Sequence, residues 1–218
     1  MEKFIGKINL HVELKGGKWH NGRSRQEAGE GTMKHQKKNL RSQIRKKAAE
    51  LPEAYCTSAD EGIGRYVMSL AEYQNAKTVF CYVGAKREIN TRPILEKILR
   101  DGKRLGVPKC IEEGIMEVRE IDSFECLEEG AYGIPEPKAF CVCIRPEEID
   151  LALIPCLSCS HDGKRLGYGG GYYDRYLERA DFTKVVLCRE RLTEEEIPMD
   201  SLDTTMDIVV TENGIWRI

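Results

Sequence analysis

Residues 165–174 have the sequence Arg-Leu-Gly-Tyr-Gly-Gly-Gly-Tyr-Tyr-Asp, in which four glycines lie between a cation and a carboxylate. Glycines let successive backbone N–H groups approach an anion with no Cβ in the way. The mainly apolar run at 149–154 predicts a buried strand, and residues 172–180 predict a helix. This order predicts a phosphate site at a helix N-terminus. The alternative is a glycine-rich turn with tyrosines packed beneath it, since short glycine motifs often match by chance.

The composition favours one α/β domain that binds a small ligand. The chain has 218 residues, of which 41% are hydrophobic and 32% charged, and its net charge is −2. This charge provides no general basic field for nucleic acid. No apolar run reaches the length of a membrane span, and the N-terminus lacks the apolar segment of a signal peptide. We therefore expect a cytoplasmic monomer without nucleic-acid or membrane partners.

The nine cysteines are typical of free thiols rather than of a disulfide framework, because their number is odd and they are scattered through apolar segments. One pattern leaves an alternative open. Cys141, Cys143, Cys156 and Cys159 supply four thiols that could close a tetrahedral zinc site, although their spacing is not that of a standard zinc ribbon. Ordinary buried cysteines are the favoured interpretation.

The first 32 residues are rich in glycine and show no sustained periodicity, which predicts a disordered extension. A second hypothesis is that Met33 is the true start, since the Gly-Glu and Glu-Gly pairs before it are what a purine-rich ribosome-binding site gives when translated. We expect residues 33–218 to form a single domain.

Alternating helical and strand patterns define the predicted fold. Leu40, Ile44, Ala48 and Leu51 recur at helical spacing in a helix over 37–51, whose basic faces predict a solvated surface or a contact with RNA or a membrane. A capping-box pattern at 58–61 predicts the start of a second helix, and Pro93 and Gly102 bracket a third. Predicted strands cover 77–83, 105–108, 116–121, 149–154, 184–188 and 208–211. The pattern predicts a three-layer α/β/α domain with a mostly parallel, Rossmann-like sheet.

Five separated segments resemble the 5-formyltetrahydrofolate cyclo-ligase family, also called methenyltetrahydrofolate synthetases, in order and spacing. They are Lys37–Arg41, Glu88–Thr91, Gly133–Pro137, Arg165–Asp174 and Asp207–Thr211. The resemblance implies a conversion of 5-formyltetrahydrofolate to 5,10-methenyltetrahydrofolate that depends on ATP and Mg²⁺. The formyl oxygen is phosphorylated by ATP, and ADP and phosphate are released. The alternative is a diverged, non-catalytic homologue that binds folate or nucleotide.

The resemblance also implies roles for individual residues. Arg165 would stabilise charge on the transferred phosphoryl group, Asp174 and Asp207 would hold Mg²⁺, and Val83 and Glu88 would line the folate pocket. The implied ATP-binding residues are Lys37, Arg41, Arg165, Leu166, Gly167, Tyr168, Gly169, Gly170, Gly171, Tyr172 and Tyr173. The chain differs from the family pattern at 84–87, at 155–160 and at Arg189-Glu190.

Overall fold

A computed structural model describes residues 23–130, 133–178 and 180–218, with side chains described from residue 32 onward. The α-helices in these ranges are α1 (Arg23–Ala49), α2 (Glu53–Ser69), α3 (Ala71–Asn75), α4 (Arg92–Arg100) and α5 (Tyr172–Leu177). The strands are β1 (Thr78–Cys81), β2 (Arg104–Glu112), β3 (Ile115–Ile121), β4 (Leu127–Glu129), β5 (Pro135–Pro137), β6 (Cys143–Ile144), β7 (Leu151–Ile154), β8 (Ser158–Cys159), β9 (Arg165–Leu166), β10 (Thr183–Leu187), β11 (Ile208–Thr211) and β12 (Gly214–Arg217).

Eight strands form one sheet in the order β12-β11-β10-β7-β1-β2-β3-β6. The central strands β11, β10, β7, β1 and β2 are parallel, whereas β12, β3 and β6 pair antiparallel with their neighbours at the two sides. Two short antiparallel pairs, β4–β5 and β8–β9, lie outside this sheet. The predicted α/β fold with a mostly parallel sheet is confirmed.

The core lies on both faces of the sheet because successive side chains of a strand point in opposite directions. Val79 packs in one buried cluster with α2 and α4, and the next residue, Phe80, packs in a second cluster with Ile44 of α1 and Leu177 of α5. All four residues of β1, β7 and β11 are buried. Continuous apolar strands of this kind are typical of a parallel sheet covered by helices on both faces.

Two helix starts differ from the prediction. α2 begins at Glu53, directly after Pro52, whose extended backbone ends α1 and precedes the new helix. The 58–61 pattern therefore lies inside α2, where Asp60 makes a tertiary ion pair instead of a cap. α1 begins at Arg23, within the segment predicted to be disordered, while residues 1–22 of that prediction lie outside the described ranges.

In the part of the chain that the structure describes, no helix combines the length and apolar character needed to cross a membrane.

Candidate active site

The glycine stretch lies past the carboxyl end of the central strand β7. After Pro155 the chain forms the β8–β9 hairpin, which brings Arg165 back beside β7, and the loop 167–171 then leads into α5. Gly169 has a φ of 105° and Gly171 a φ of 69°, both in the left-handed region that glycine adopts without strain. Glycine is thus required at two points of the turn. The helix that follows is short and ends at Leu177, so side-chain cations have to supply most of the positive charge at this loop.

Those cations come from the basic helix α1. Arg41 donates from Nε to the carbonyl of Gly167 at 2.8 Å, and Arg45 lies one turn further along, 3.4 Å from the carbonyl of Tyr168. Residues four apart share one face of a helix, so this face of α1 is committed to the loop. Lys37, on the same face, is buried and forms ion pairs with Asp200, at 2.7 Å, and with Asp203. The structure thus brings the predicted basic helix and the glycine loop together.

Arg165 and Asp174 form an ion pair at the base of the loop. The Arg165 side chain is about 3% exposed, and one guanidinium nitrogen lies 2.5 Å from a carboxylate oxygen of Asp174. A second nitrogen donates to the carbonyl of Pro155 at 3.2 Å, and the guanidinium carbon lies 5.7 Å from the centre of the Tyr173 ring. The third nitrogen, Nε, is buried and has no hydrogen-bond partner among the described residues. A buried cation with a free donor is a suitable group to meet an anionic ligand.

Asp207 does not join Asp174. It directly precedes β11. Its carboxylate accepts a hydrogen bond of 2.7 Å from the backbone N–H of Lys184 and forms an ion pair of 3.1 Å with the Lys184 side chain. Asp150, which precedes β7, likewise accepts a hydrogen bond of 2.9 Å from the backbone N–H of Thr78. In parallel strands such residues lie at the amino edge of the sheet, opposite the edge where the glycine loop lies. The structure therefore places the two predicted magnesium ligands, Asp174 and Asp207, at opposite edges of the sheet.

Glu88 lies in the loop after β1. One of its carboxylate oxygens accepts a hydrogen bond from the N–H of Ala85 at 2.7 Å, which closes a tight turn. The guanidinium of Arg189, at the end of β10, donates to the carbonyl of Glu88 at 2.8 Å and to that of Arg87 at 3.2 Å. The same guanidinium forms a bidentate ion pair with Asp60, at 2.7 and 2.9 Å. Arg189 therefore fixes the loop that carries Glu88.

One cavity of about 1580 Å³ joins these parts. Lys37, Arg41, Asp174 and the glycine loop line it, and so do the predicted folate residues Val83 and Glu88. Ligand pockets are commonly about 300–1,000 Å³, so this cavity has room for two ligands side by side. Asp207 is absent from the described residues that line it.

Sequence reasoning did not single out several residues of this cavity. Asp200 and Asp203 hold Lys37, and they follow Pro198 in a polar segment that has no periodic pattern. In the sequence, Arg189 stands out only as a difference from the family pattern, and Asp60 only as part of a capping-box pattern. Their pairing could not be found from one sequence, because the two residues lie 129 positions apart.

The structure does not bring together the four thiols of the zinc alternative. All nine cysteines are free thiols. Cys143 lies on β6, at one end of the sheet, whereas Cys156 and Cys159 follow the central strand β7. The sulfur atoms of Cys156 and Cys159 instead lie close to that of Cys188.

The fold and the site together define an α/β protein that presents a cation-lined glycine loop at the carboxyl edge of its sheet, in a cavity that Val83 and Glu88 also line. Within the chain, residues 33–212 match the sequence pattern of a family described as "5-formyltetrahydrofolate cyclo-ligase family". The chain belongs to the 5-formyltetrahydrofolate cyclo-ligase family.

Individual relatives agree with this assignment. A Schizosaccharomyces pombe protein named "Probable 5-formyltetrahydrofolate cyclo-ligase" is 31% identical over 202 residues, which cover 85% of this chain and 99% of that protein. The 5-formyltetrahydrofolate cyclo-ligase of Haemophilus influenzae is 27% identical, with 82% of this chain and 98% of that protein covered. The structure of Aquifex aeolicus 5,10-methenyltetrahydrofolate synthetase is similar at a TM-score of 0.74 and 31% identity, covering 83% of this chain and 92% of that one.

Proposed function

We propose that this protein converts 5-formyltetrahydrofolate to 5,10-methenyltetrahydrofolate with ATP and Mg²⁺, releasing ADP and phosphate. Family membership supports the folate reaction. The observation that carries the use of ATP is that the cation-lined glycine loop and Glu88 line the same cavity. Such a cavity holds a phosphate donor and its acceptor next to each other, which removes much of the entropic cost of bringing them together.

The chemistry needs this juxtaposition. A formyl group on nitrogen is a poor electrophile, because its carbonyl is stabilised as an amide. Transfer of the γ-phosphoryl group of ATP to the formyl oxygen turns that oxygen into a leaving group. The N10 amine then attacks the activated carbon and releases its proton to solvent, the carbon–oxygen bond breaks, and phosphate leaves.

Arg165 is the residue that we assign to the transferred phosphoryl group. Charge spreads over the phosphoryl oxygens during transfer, and a fixed guanidinium stabilises it without reorganisation. Asp174 and the carbonyl of Pro155 hold two of the Arg165 nitrogens, so the group keeps its orientation before substrate arrives. Arg41, anchored on the Gly167 carbonyl, supplies a second cation at the loop.

Asp174 is the carboxylate that best fits magnesium, because it lines the cavity and Mg²⁺ is commonly bound through one or two carboxylates and the substrate phosphates. Asp203 is the second candidate, since it also lines the cavity, and it and Asp174 both raise the pKa of Arg41, which burial lowers. When bound, the ion would neutralise negative charge between the phosphates of ATP.

Tyr168 and Tyr173 form walls rather than bases. Tyr168 is about 43% exposed and Tyr173 is half-buried. Their partial loss of hydration raises the pKa of both phenols, and the charge of Glu88 raises it further. A phenol that keeps its proton at neutral pH donates hydrogen bonds or stacks, so we assign these rings to the boundary between the nucleotide and folate ends.

Formation of the methenyl product, followed by its absorbance, tests the proposal. We expect turnover with 5-formyltetrahydrofolate, ATP and Mg²⁺ together, and none when one is omitted. Arg165→Met should lower kcat by about 10³-fold or more. Arg145→Met is the control, since that arginine is exposed and pairs with Glu148 outside the cavity.

Two outcomes would contradict the proposal. A near-wild-type kcat in a folded Arg165→Met protein would refute the role of Arg165. Calorimetry that detects ATP or folate binding in a wild-type protein that never forms product would favour the alternative of a non-catalytic homologue. The cytoplasmic location and the monomeric state stay predictions.

A further inference from the structure

Three thiols that the proposed reaction does not use meet beside the cavity. Cys156 follows Pro155 after β7, Cys159 lies on β8, and Cys188 follows the last residue of β10. Their sulfur atoms all lie within 4.8 Å of one another. Cys159 is fully buried and Cys188 is about 3% exposed, whereas Cys156 is partly open.

The geometry is close to that of a metal site. Three thiolates around zinc, with zinc–sulfur distances of about 2.3 Å, have sulfur atoms separated by about 3.8–4.0 Å. The three thiols therefore need to move by only about 1 Å or less toward a common centre. Their backbones are held in place: the N–H of Cys188 donates to Val210 at 3.1 Å, and the carbonyl of Cys159 accepts from Glu194 at 3.0 Å. A held backbone with adjustable side chains is a suitable frame for a small cation.

The open direction of the cluster leads to the cavity. Cys156 and Cys188 both line it, while Cys159 lies behind them and is not among the described lining residues. Metal sites with three protein ligands keep a fourth position for water or another ligand, and such sites differ in this from closed structural ones. Here the fourth position would face the cavity that Cys156 and Cys188 line.

We propose that Cys156, Cys159 and Cys188 form a binding site for one thiophilic d¹⁰ cation, with zinc as the physiological candidate, whose fourth coordination position opens into the cavity. Three thiolates and Zn²⁺ carry a net charge of −1, and the neighbouring Arg165 guanidinium, which donates to the carbonyl of Pro155 directly before Cys156, is placed to offset it. The site does not depend on the folate reaction, so it can be present or absent independently of that activity.

Zinc binding must release the protons of the three thiols. Metal ions bind the deprotonated sulfur, so the apparent affinity should increase with pH across the neutral range. A cluster of thiols that only packs in the core would show no such dependence.

Titration of the full-length, chelator-stripped protein with Co²⁺ under a phosphine reductant tests the site. We expect one equivalent to bind with thiolate-to-cobalt charge-transfer absorption, and Zn²⁺ to displace it. Cys156→Ser should weaken binding at least tenfold. Cys143→Ser is the matched control, because that thiol is exposed on β6, and it should bind as the unmodified protein does.

Alkylation of the unmutated protein covers the case in which a buried cysteine variant fails to fold. Stoichiometric Zn²⁺ should slow the modification of Cys156, mapped by peptide mass spectrometry, by tenfold or more and leave Cys143 unaffected. Absence of charge-transfer absorption, equal cobalt affinity in Cys156→Ser, or zinc protection of Cys143 in place of Cys156 would each overturn the proposal.

Discussion

The ion pair of Asp60 and Arg189 links α2 to the carboxyl end of β10 and should hold the Glu88 loop in place. The change that tests this is Asp60→Asn, which keeps the shape of the side chain and removes its charge. The Asp60 and Arg189 side chains are about 11% and 6% exposed, so water cannot replace the lost partner. One carboxylate oxygen of Asp60 also accepts the N–H of Asn90 at 2.9 Å.

The expected magnitude follows from these contacts. Removing one partner of a buried ion pair costs about 3–5 kcal/mol, because the remaining charge is left without compensation. Arg189 keeps its two carbonyl acceptors in the variant, and asparagine keeps one acceptor oxygen, so we expect a loss near the lower end, about 3 kcal/mol. For a chain of this size that loss corresponds to a Tm lower by roughly 6–12 °C.

Urea and thermal unfolding measure the loss, and the methenyl assay measures its effect on the site. We expect the KM for 5-formyltetrahydrofolate to increase severalfold while the KM for ATP changes little, since Arg189 bonds to the Glu88 loop and not to the glycine loop. The matched control is Glu96→Gln, which removes an exposed i,i+4 pair with Arg92 and should cost about 0.5 kcal/mol or less.

A double-mutant cycle with Arg189→Met isolates the interaction between the two side chains. We expect a coupling free energy of about 2–3 kcal/mol, within the range for residues in one buried network. Single-variant losses below about 1 kcal/mol together with a coupling near zero would refute the reasoning, because removal of one partner should leave the other buried charge without compensation. An unchanged folate KM in a destabilised Asp60→Asn would refute only the link to the Glu88 loop.

Three further results are expected. Arg41→Gln should raise the KM for ATP about tenfold or more, as loss of a charged contact does, whereas Arg45→Gln, with its longer and exposed contact, should have a small effect; equal effects would contradict the anchoring role of Arg41. Gly169→Ala should weaken ATP binding in calorimetry, because its φ of 105° strains any other residue, while Gly102→Ala, at a φ of 70° outside the cavity, should lower stability alone. Hydrogen bonds from two arginines lower the pKa of Glu148 to about 2, so the stability that it contributes is present above its ordinary value of 4.5 and is lost as the pH falls toward 2. The unfolding free energies of wild type and Glu148→Gln should therefore converge over that window, and parallel curves would contradict the shift.

The fold was predictable because its central strands carry a strong local signal. β1, β7 and β11 are short, continuous apolar runs separated by helical patterns, and this arrangement favours a parallel sheet. The strands missed by sequence reasoning, such as β8 and β9, have two residues each and exist through pairing with each other. A run of two residues contains no period, so no local pattern could have predicted them.

The site was predictable to the extent that its residues lie in motifs. The structure brings Lys37, Arg41, Glu88 and the glycine stretch to one cavity, although their individual roles stay predictions. The position of Asp207 away from the glycine loop could have been predicted from the sequence. A residue that precedes a parallel strand lies at the opposite edge of the sheet from one that follows it. Asp207 directly precedes β11 in the sequence, so it lies at the amino edge.

The remaining contacts depend on tertiary placement. Lys37 reaches Asp200 across 163 positions, and Cys188 joins Cys156 only because β10 and β7 are adjacent in the sheet. Nothing local distinguishes these residues from other charged or thiol side chains.

The attachment of α1 to the far half of the chain has a consequence for synthesis. Arg41 contacts Gly167 across 126 positions, and Lys37 pairs with Asp200 and Asp203 across 163 and 166 positions. Contacts of such long range form late, since a long segment has to be closed before they contribute. A ribosome-bound nascent polypeptide should thus gain the proposed affinity for ATP only after Asp203 has emerged from the exit tunnel, and chains that end before Asp200 should be unable to acquire it.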